Sequence, residues 1–361
     1  MEFSLTEPHL VALAGLAGGI CLGLAARLGR FCTMGAIEDA LYGGSTVRLR
    51  GWGVAIGVAV IGAFALMAAG LIPFDPYYLA LAWNPWASVV GGLAFGYGMA
   101  LSGMCGYGAI ARLGGGDLRS FVIVLVMGVA TYVVLSGPVA PLRALLFPQE
   151  ASTAAVPPGI AHQIGALFGL SVPVVGVALG VAILAFSLAH RAFLDKPATA
   201  FWGAVVGLGI LIGWAGTGWV SRTGFDGLPV VSHSFAAPLG ESIMWWMTGS
   251  ARPLSFAVGS VAGVWLGAFI GSLIKGHFRW EACEDPRELR RQILGAALMG
   301  GGAVVAVGCS VGQGLSAFSL LAFSAPVTVL ANQVFRWRCC PCFGDLSLQS
   351  AGNDRAPLGH A

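Results

Sequence analysis

The chain has 361 residues, of which 57% are hydrophobic and only 10% charged, and its net charge is +3. Soluble domains carry about a quarter charged residues, so this composition excludes an ordinary soluble protein and points to an all-α polytopic membrane protein. The small positive charge gives no argument for a nucleic-acid partner.

Nine apolar runs are long enough to cross a bilayer, for which about 20 residues suffice. In chain order they are Leu10–Ala26, Gly51–Ile72, Ala87–Leu101, Ser120–Ser136, Gln163–Ala189, Ala200–Ala215, Leu254–Ile274, Ile293–Gly308 and Phe318–Val334. The first follows Glu2 and Glu7, with no Lys or Arg before Arg27, so it reads as a retained span and not as a cleaved leader. No Asp, Glu, Lys or Arg falls inside any run. If the connections alternate from an outside N-terminus, the 19 Lys and Arg residues leave only Arg143, Arg222 and Arg252 outside. That imbalance fits the positive-inside rule with the C-terminus inside.

The expected organisation is one transmembrane domain over 1–335 and a cytoplasmic tail over 336–361. Four spans at about 9–136 and four at about 199–335 form two halves, and the run at about 163–189 joins them. An odd connector inverts one half relative to the other, as in many transporters whose site lies at the repeat interface.

Irregular stretches interrupt this pattern. Cys32-Thr33-Met34-Gly35-Ala36-Ile37 recurs in register as Cys105-Gly106-Tyr107-Gly108-Ala109-Ile110, and Cys309 precedes Gly312 at the same spacing. The stretch after the sixth run has no cysteine; Thr217, Ser221 and Thr223 take the corresponding place. A thiol that ends an apolar run and meets glycines at once suits a re-entrant loop. Non-helical backbone at membrane depth is tolerated where protein buries it or where it lines a wet cavity. Such loops aim free N–H groups and a helix N-terminus at one point, which attracts anions. The thiol adds a soft, polarisable atom and a weak donor. The combination suits an anion that carries its own sulfur. The candidate site is therefore Cys32, Cys105 and Cys309, supported by the loop backbone of Gly35, Gly106, Gly108, Gly312 and Gly314. Tight loop packing is the competing reading. Cys21 and Cys283 read as a packing residue and a loop residue.

Other matches carry less. Gly308-Cys309-Ser310-Val311-Gly312 fits G-x-S-x-G but follows an apolar helical run instead of a strand. Cys339-Cys340-Pro341-Cys342 has no βαβ context and supplies only three close thiols, so neither a redox motif nor a zinc site follows. His233, between Ser232 and Ser234 with no acid beside it, reads as a satisfied or exposed histidine. No Walker A pattern surrounds Lys196 or Lys275. With no carboxylate in any run, only Glu38 and Asp39 lie near for proton coupling. No catalytic residue, metal or cofactor is expected.

The three cysteine loops, with "GYGAIARLGGGDLRS" and "GCSVGQGLSAFS", resemble the YeeE/YedE family of bacterial inner-membrane proteins over nearly the whole chain to about Val334. The resemblance implies an hourglass-shaped importer with short helices entering from both faces. It implies thiosulfate as the substrate, passed between thiols by S–H···S contacts. It places Cys309 outermost, Cys105 centrally and Cys32 innermost. It also implies a small cytoplasmic sulfur carrier of the TusA-like kind as a partner, and a bacterial inner-membrane location, in which the N-terminus placed outside by the charge distribution is periplasmic. The tail after Val334 has no counterpart in the family. Three alternatives stand beside this reading: transport of another sulfur or selenium compound, a membrane sulfurtransferase, and a scaffold for a sulfur carrier.

Overall fold

The computed structural model describes residues 6–282 and 286–333. Cys283, Cys339, Cys340, Cys342 and the expected tail lie outside the described residues. In chain order the helices are α1 (Glu7–Leu28), α2 (Thr33–Leu41), α3 (Val47–Ala68), α4 (Tyr77–Ala80), α5 (Pro85–Ser102), α6 (Gly106–Leu113), α7 (Leu118–Leu135) and α8 (Ala140–Leu146). They continue with α9 (Ile160–Phe168), α10 (Val172–Leu188), α11 (Arg191–Leu194), α12 (Pro197–Thr223), α13 (Ala237–Thr248), α14 (Phe256–Ile274) and α15 (Pro286–Val305). A helical stretch over 310–319 with a π-helical centre, Gly312–Ala317, and a last helical stretch over 324–333 follow. No strand forms among the described residues; there are only isolated bridges.

Among the described residues, six segments, containing α1, α3, α5, α7, α12 and α14, are long and apolar enough to cross a membrane. The chain is therefore a multi-pass helical membrane protein.

Helix contacts are made at backbone distance. A Cβ added to Gly15, Gly19 or Gly23 of α1 would lie 2.5, 2.5 or 2.3 Å from a carbonyl oxygen of α14. Gly259, Gly263 and Gly267 of α14 face α1 just as closely. The same glycine contact joins α5 to α15, where Gly91 meets Ala306 and Gly302, and Gly98 meets Gly295. Without a hydrophobic drive between helices in lipid, this close van der Waals approach is what holds them.

The structure redraws several expected elements. The fifth run is two helices, α9 and α10, divided at Gly169 in the left-handed region (φ 65°). The sixth runs on to Thr223, so Thr217, Ser221 and Thr223 lie in α12 and not in a loop. Thr217 and Thr223 donate to carbonyls one turn back, at 2.8 Å each, which satisfies their hydroxyls inside the helix. The ninth run is broken at 320–323, where Leu321 takes φ 53°. The stretch expected to be irregular after the sixth run is non-helical over 224–236, with Gly227 in the left-handed region (φ 61°), and then forms α13.

Candidate functional site

Each of the three cysteines stands immediately before a helix. Cys32 is the N-cap of α2 and Cys105 the N-cap of α6. Cys309 precedes the helical stretch at 310–319. Each is also preceded, two residues earlier, by a residue with positive φ: Arg30 (50°), Gly103 (73°) and Val307 (58°). The left-handed residue ends one helix and lets the next begin in a new direction. For Val307, a β-branched residue, this conformation is strained. Each turn is tied by a side chain. Arg48 donates to the Arg30 carbonyl at 2.8 Å. Ser102 donates to the Met104 carbonyl at 2.8 Å. The Gln313 amide donates to the Ala306 and Val307 carbonyls at 2.8 and 3.1 Å.

The sulfurs receive backbone donors. Cys105 Sγ accepts from the Gly108 N–H at 3.4 Å. Cys309 Sγ accepts from the Phe235 N–H at 3.2 Å and the Gly312 N–H at 3.4 Å, with Ser234 Oγ at 3.7 Å. The Phe235 carbonyl packs on Gly106, beside Cys105, where an added Cβ would approach it to 2.8 Å. Cys105 lies within electrostatic reach of both Cys32 and Cys309, and beside the Ser310 hydroxyl. Cys105 and Cys309 are buried, Cys32 is half-buried, and all three are free thiols.

Two cavities lie at opposite ends of the same helices. One, of about 410 Å³, is lined by Pro8 and Val11 of α1, Phe256 and Ala257 of α14, and Tyr78, Ser234 and Gly308 beside Cys309. The other, of about 420 Å³, is lined by Arg27 of α1, Gly271 and Ser272 of α14, and by Cys32, Gly35 and Gly108. Sixteen residues of α1 separate Val11 from Arg27, roughly 24 Å at 1.5 Å per residue. The second cavity is strongly basic, with Arg27, Arg30, Arg48, Arg112 and Lys275 against Glu38. Lys275 donates to the Arg27 and Leu28 carbonyls at the end of α1. Partial burial, with the charges of Arg30 and Arg27, pushes its ammonium pKa below the ordinary lysine range.

The five glycines differ in what they contribute. At Gly312 an added Cβ would lie 2.7 Å from Ser234 Oγ and 3.1 Å from the Tyr78 hydroxyl. At Gly35 it would lie 2.4 Å from the Arg48 guanidinium, and at Gly106 it would meet the Phe235 backbone. Gly108 and Gly314 have only ordinary contacts, at 3.7 and 3.5 Å. Close approach thus explains three of the five. Ser234, Phe235, Tyr78 and Arg48 belong to the site without any sequence motif, whereas Ser310 and Gln313 lie in the quoted stretch around Cys309. His233 is fully buried, with Nδ1 at 2.6 Å from Ser260 Oγ and no hydrogen-bond partner for Nε2, so it is not the exposed histidine and is satisfied at one nitrogen only. Among the described residues no group of three His, Cys, Asp or Glu is placed to hold a metal.

The model of the sulphur transport family matches residues 28–334. The chain belongs to the sulphur transport family. This sulphur transport protein is 29% identical over 324 residues to a protein of Escherichia coli (strain K12) named thiosulfate transporter TsuA, covering 84% of this chain and 86% of that one. It is 26% identical over 350 residues to the thiosulfate transporter TsuA of Spirochaeta thermophila, covering 90% of this chain and 97% of the relative. The resemblance read from the cysteine loops therefore holds over most of the chain. As a member of a transport family, the chain is a transport protein and not an enzyme.

Proposed function

We propose that this protein imports thiosulfate across the bacterial inner membrane, along a path marked by Cys309, Cys105 and Cys32. The observation that carries the reading is the buried Cys105 thiol, with one cavity ending beside Cys309 and another reaching Cys32. A dianion stripped of water faces a cost of tens of kcal/mol if nothing replaces its hydration. Here the replacements are helix N-termini, the backbone N–H groups around the thiols, and the basic mouth. Thiols give soft, weak contacts to the terminal sulfur, and several weak sites in series permit passage without trapping. The names of the two relatives support thiosulfate as the cargo.

The finer topology is part of the same proposal: nine spans, N-terminus periplasmic, C-terminus cytoplasmic, and two inverted halves. Helix pairing supports the inverted halves. If α1, α2, α3, α5, α6 and α7 correspond to α12, α13, α14, α15, 310–319 and 324–333, then α1 against α14 mirrors α12 against α3. Likewise α13 against α14 mirrors α2 against α3, and α14 against α6 mirrors α3 against the π-helical stretch. The basic mouth at Cys32 is then cytoplasmic, and a TusA-like sulfur carrier would meet its cargo there.

The test is uptake of radiolabelled thiosulfate by proteoliposomes of the full chain, with growth rescue of a strain lacking thiosulfate uptake as its cellular counterpart. Uptake and rescue are expected. Failure of the wild-type chain in both would remove the reading.

A further inference from the structure

The thiols account for one end of thiosulfate only; its three oxygens need hydrogen-bond donors when water is gone. Buried donors without partners are rare, because leaving one unpaired is costly. Three occur together beside the thiol path. Ser310, the first helical residue after Cys309, is 4% exposed, and no hydrogen bond of acceptable geometry reaches its Oγ although the Cys105 thiol is its neighbour. Thr33, the first residue of α2 after Cys32, has an unpaired Oγ1. Trp52 of α3 is 8% exposed, its indole N–H is unpaired, and its ring stacks on Phe31 at 4.7 Å, next to Cys32. All three residues line one cavity of about 100 Å³, which also includes Met99 of α5 and Asn332.

We propose that Ser310, with Thr33 and Trp52, receives the oxygen end of the passing anion while the cysteines receive its terminal sulfur. This rests on the thiosulfate reading given above and adds residues that determine specificity. The two ends of the substrate are read by different chemistry. Two of the three hydroxyl and indole donors follow or flank a cysteine directly, so the oxygens change partners as the sulfur moves from one thiol to the next. An oxyanion meets these three donors, beside the Asn332 Oδ1 acceptor that is also unpaired in this cavity, and a substrate without oxygens leaves the donors unpaired, which costs affinity.

The test measures KM and maximal rate of thiosulfate uptake in proteoliposomes, alongside membrane abundance, for Ser310→Ala, Thr33→Val and Trp52→Phe. Losing one buried donor is expected to raise KM about tenfold for Ser310→Ala. Smaller rises are expected for the other two, with abundance and maximal rate near wild type. Wild-type KM in Ser310→Ala at normal abundance overturns the inference. So does a loss of rate that merely follows a loss of protein, provided Thr33→Val, a change of nearly constant volume, leaves KM unmoved. If the wild-type chain neither binds nor moves thiosulfate, the inference falls with the functional reading. If the wild type moves it and KM is unmoved in the variants, only the inference falls.

Discussion

The Phe235 N–H donates to Cys309 Sγ at 3.2 Å, while the carbonyl of the same residue lies against Gly106, beside Cys105. The backbone of one residue thus sits between two of the three thiols. It comes from a non-helical segment in the second half of the chain that carries no cysteine.

On the proposed path, Cys105 is the decisive position. Cys105→Ser keeps the volume and a donor but removes the soft sulfur, and Cys105→Ala removes both. Both are expected to abolish thiosulfate-dependent growth at unchanged membrane abundance, whereas Cys21→Ala and Cys283→Ala leave growth intact. Full growth of Cys105→Ser would mean that sulfur is not needed at the central step.

Selectivity follows from the same chemistry. Sulfate has a similar shape and charge but no terminal sulfur, so a hundredfold excess, about 2.7 kcal/mol in equivalent affinity, should barely slow thiosulfate uptake. Competition at equal concentrations would assign selectivity to charge and helix N-termini alone.

The glycines should separate by stability. Gly106→Ala places a Cβ against the Phe235 backbone and is expected to cost about 1–3 kcal/mol, read as a lower unfolding temperature in detergent. Gly314→Ala, with its nearest contact at 3.5 Å, should stay within about 0.5 kcal/mol of wild type. Equal effects would show that close approach is not what sets these positions apart.

Gln313 offers a test of the strained turn. It is fully buried and its amide ties the Ala306 and Val307 carbonyls. Gln313→Leu leaves these acceptors unpaired, at a cost of about 1–3 kcal/mol, and frees the turn that places Cys309. Uptake should fall further than abundance does; parallel losses would make Gln313 a folding residue only.

Topology can be read directly. A His277→Cys substitution, in the loop after α14, should be labelled by a membrane-impermeant maleimide only after cells are opened. Labelling in intact cells would put that loop outside and undo the nine-span arrangement with its inverted halves.

The repeated Cys-x-x-Gly spacing was enough to find all three thiols, because glycine and cysteine are visible as residue types. The turns before them were only partly legible. Gly103 announces its left-handed conformation, but Arg30 and Val307 adopt it without glycine, held by Arg48 and Gln313 from elsewhere in the chain. Gly169 and Pro173 mark the break between α9 and α10, whereas Leu321 breaks the last run with no glycine at the turn. The Phe235 N–H donor and the Ser234 hydroxyl contact were hidden because a backbone N–H has no sequence signature and their segment touches the thiol only through the fold.

On the proposed path, the packed layer around Cys105 forms a septum between the two cavities, with Ser234 and Gly308 on one side and Cys32 and Gly108 on the other. Water-filled vestibules carry little of the transmembrane voltage, so the field is concentrated across that septum. A dianion crossing it moves two charges through nearly the whole potential, about 4.6 kcal/mol per 100 mV. In a cell with a negative interior this opposes entry. If the proposed path is the route and its basic mouth is cytoplasmic, uncoupled inward flux would therefore depend on removal of the anion at that mouth as fast as it arrives.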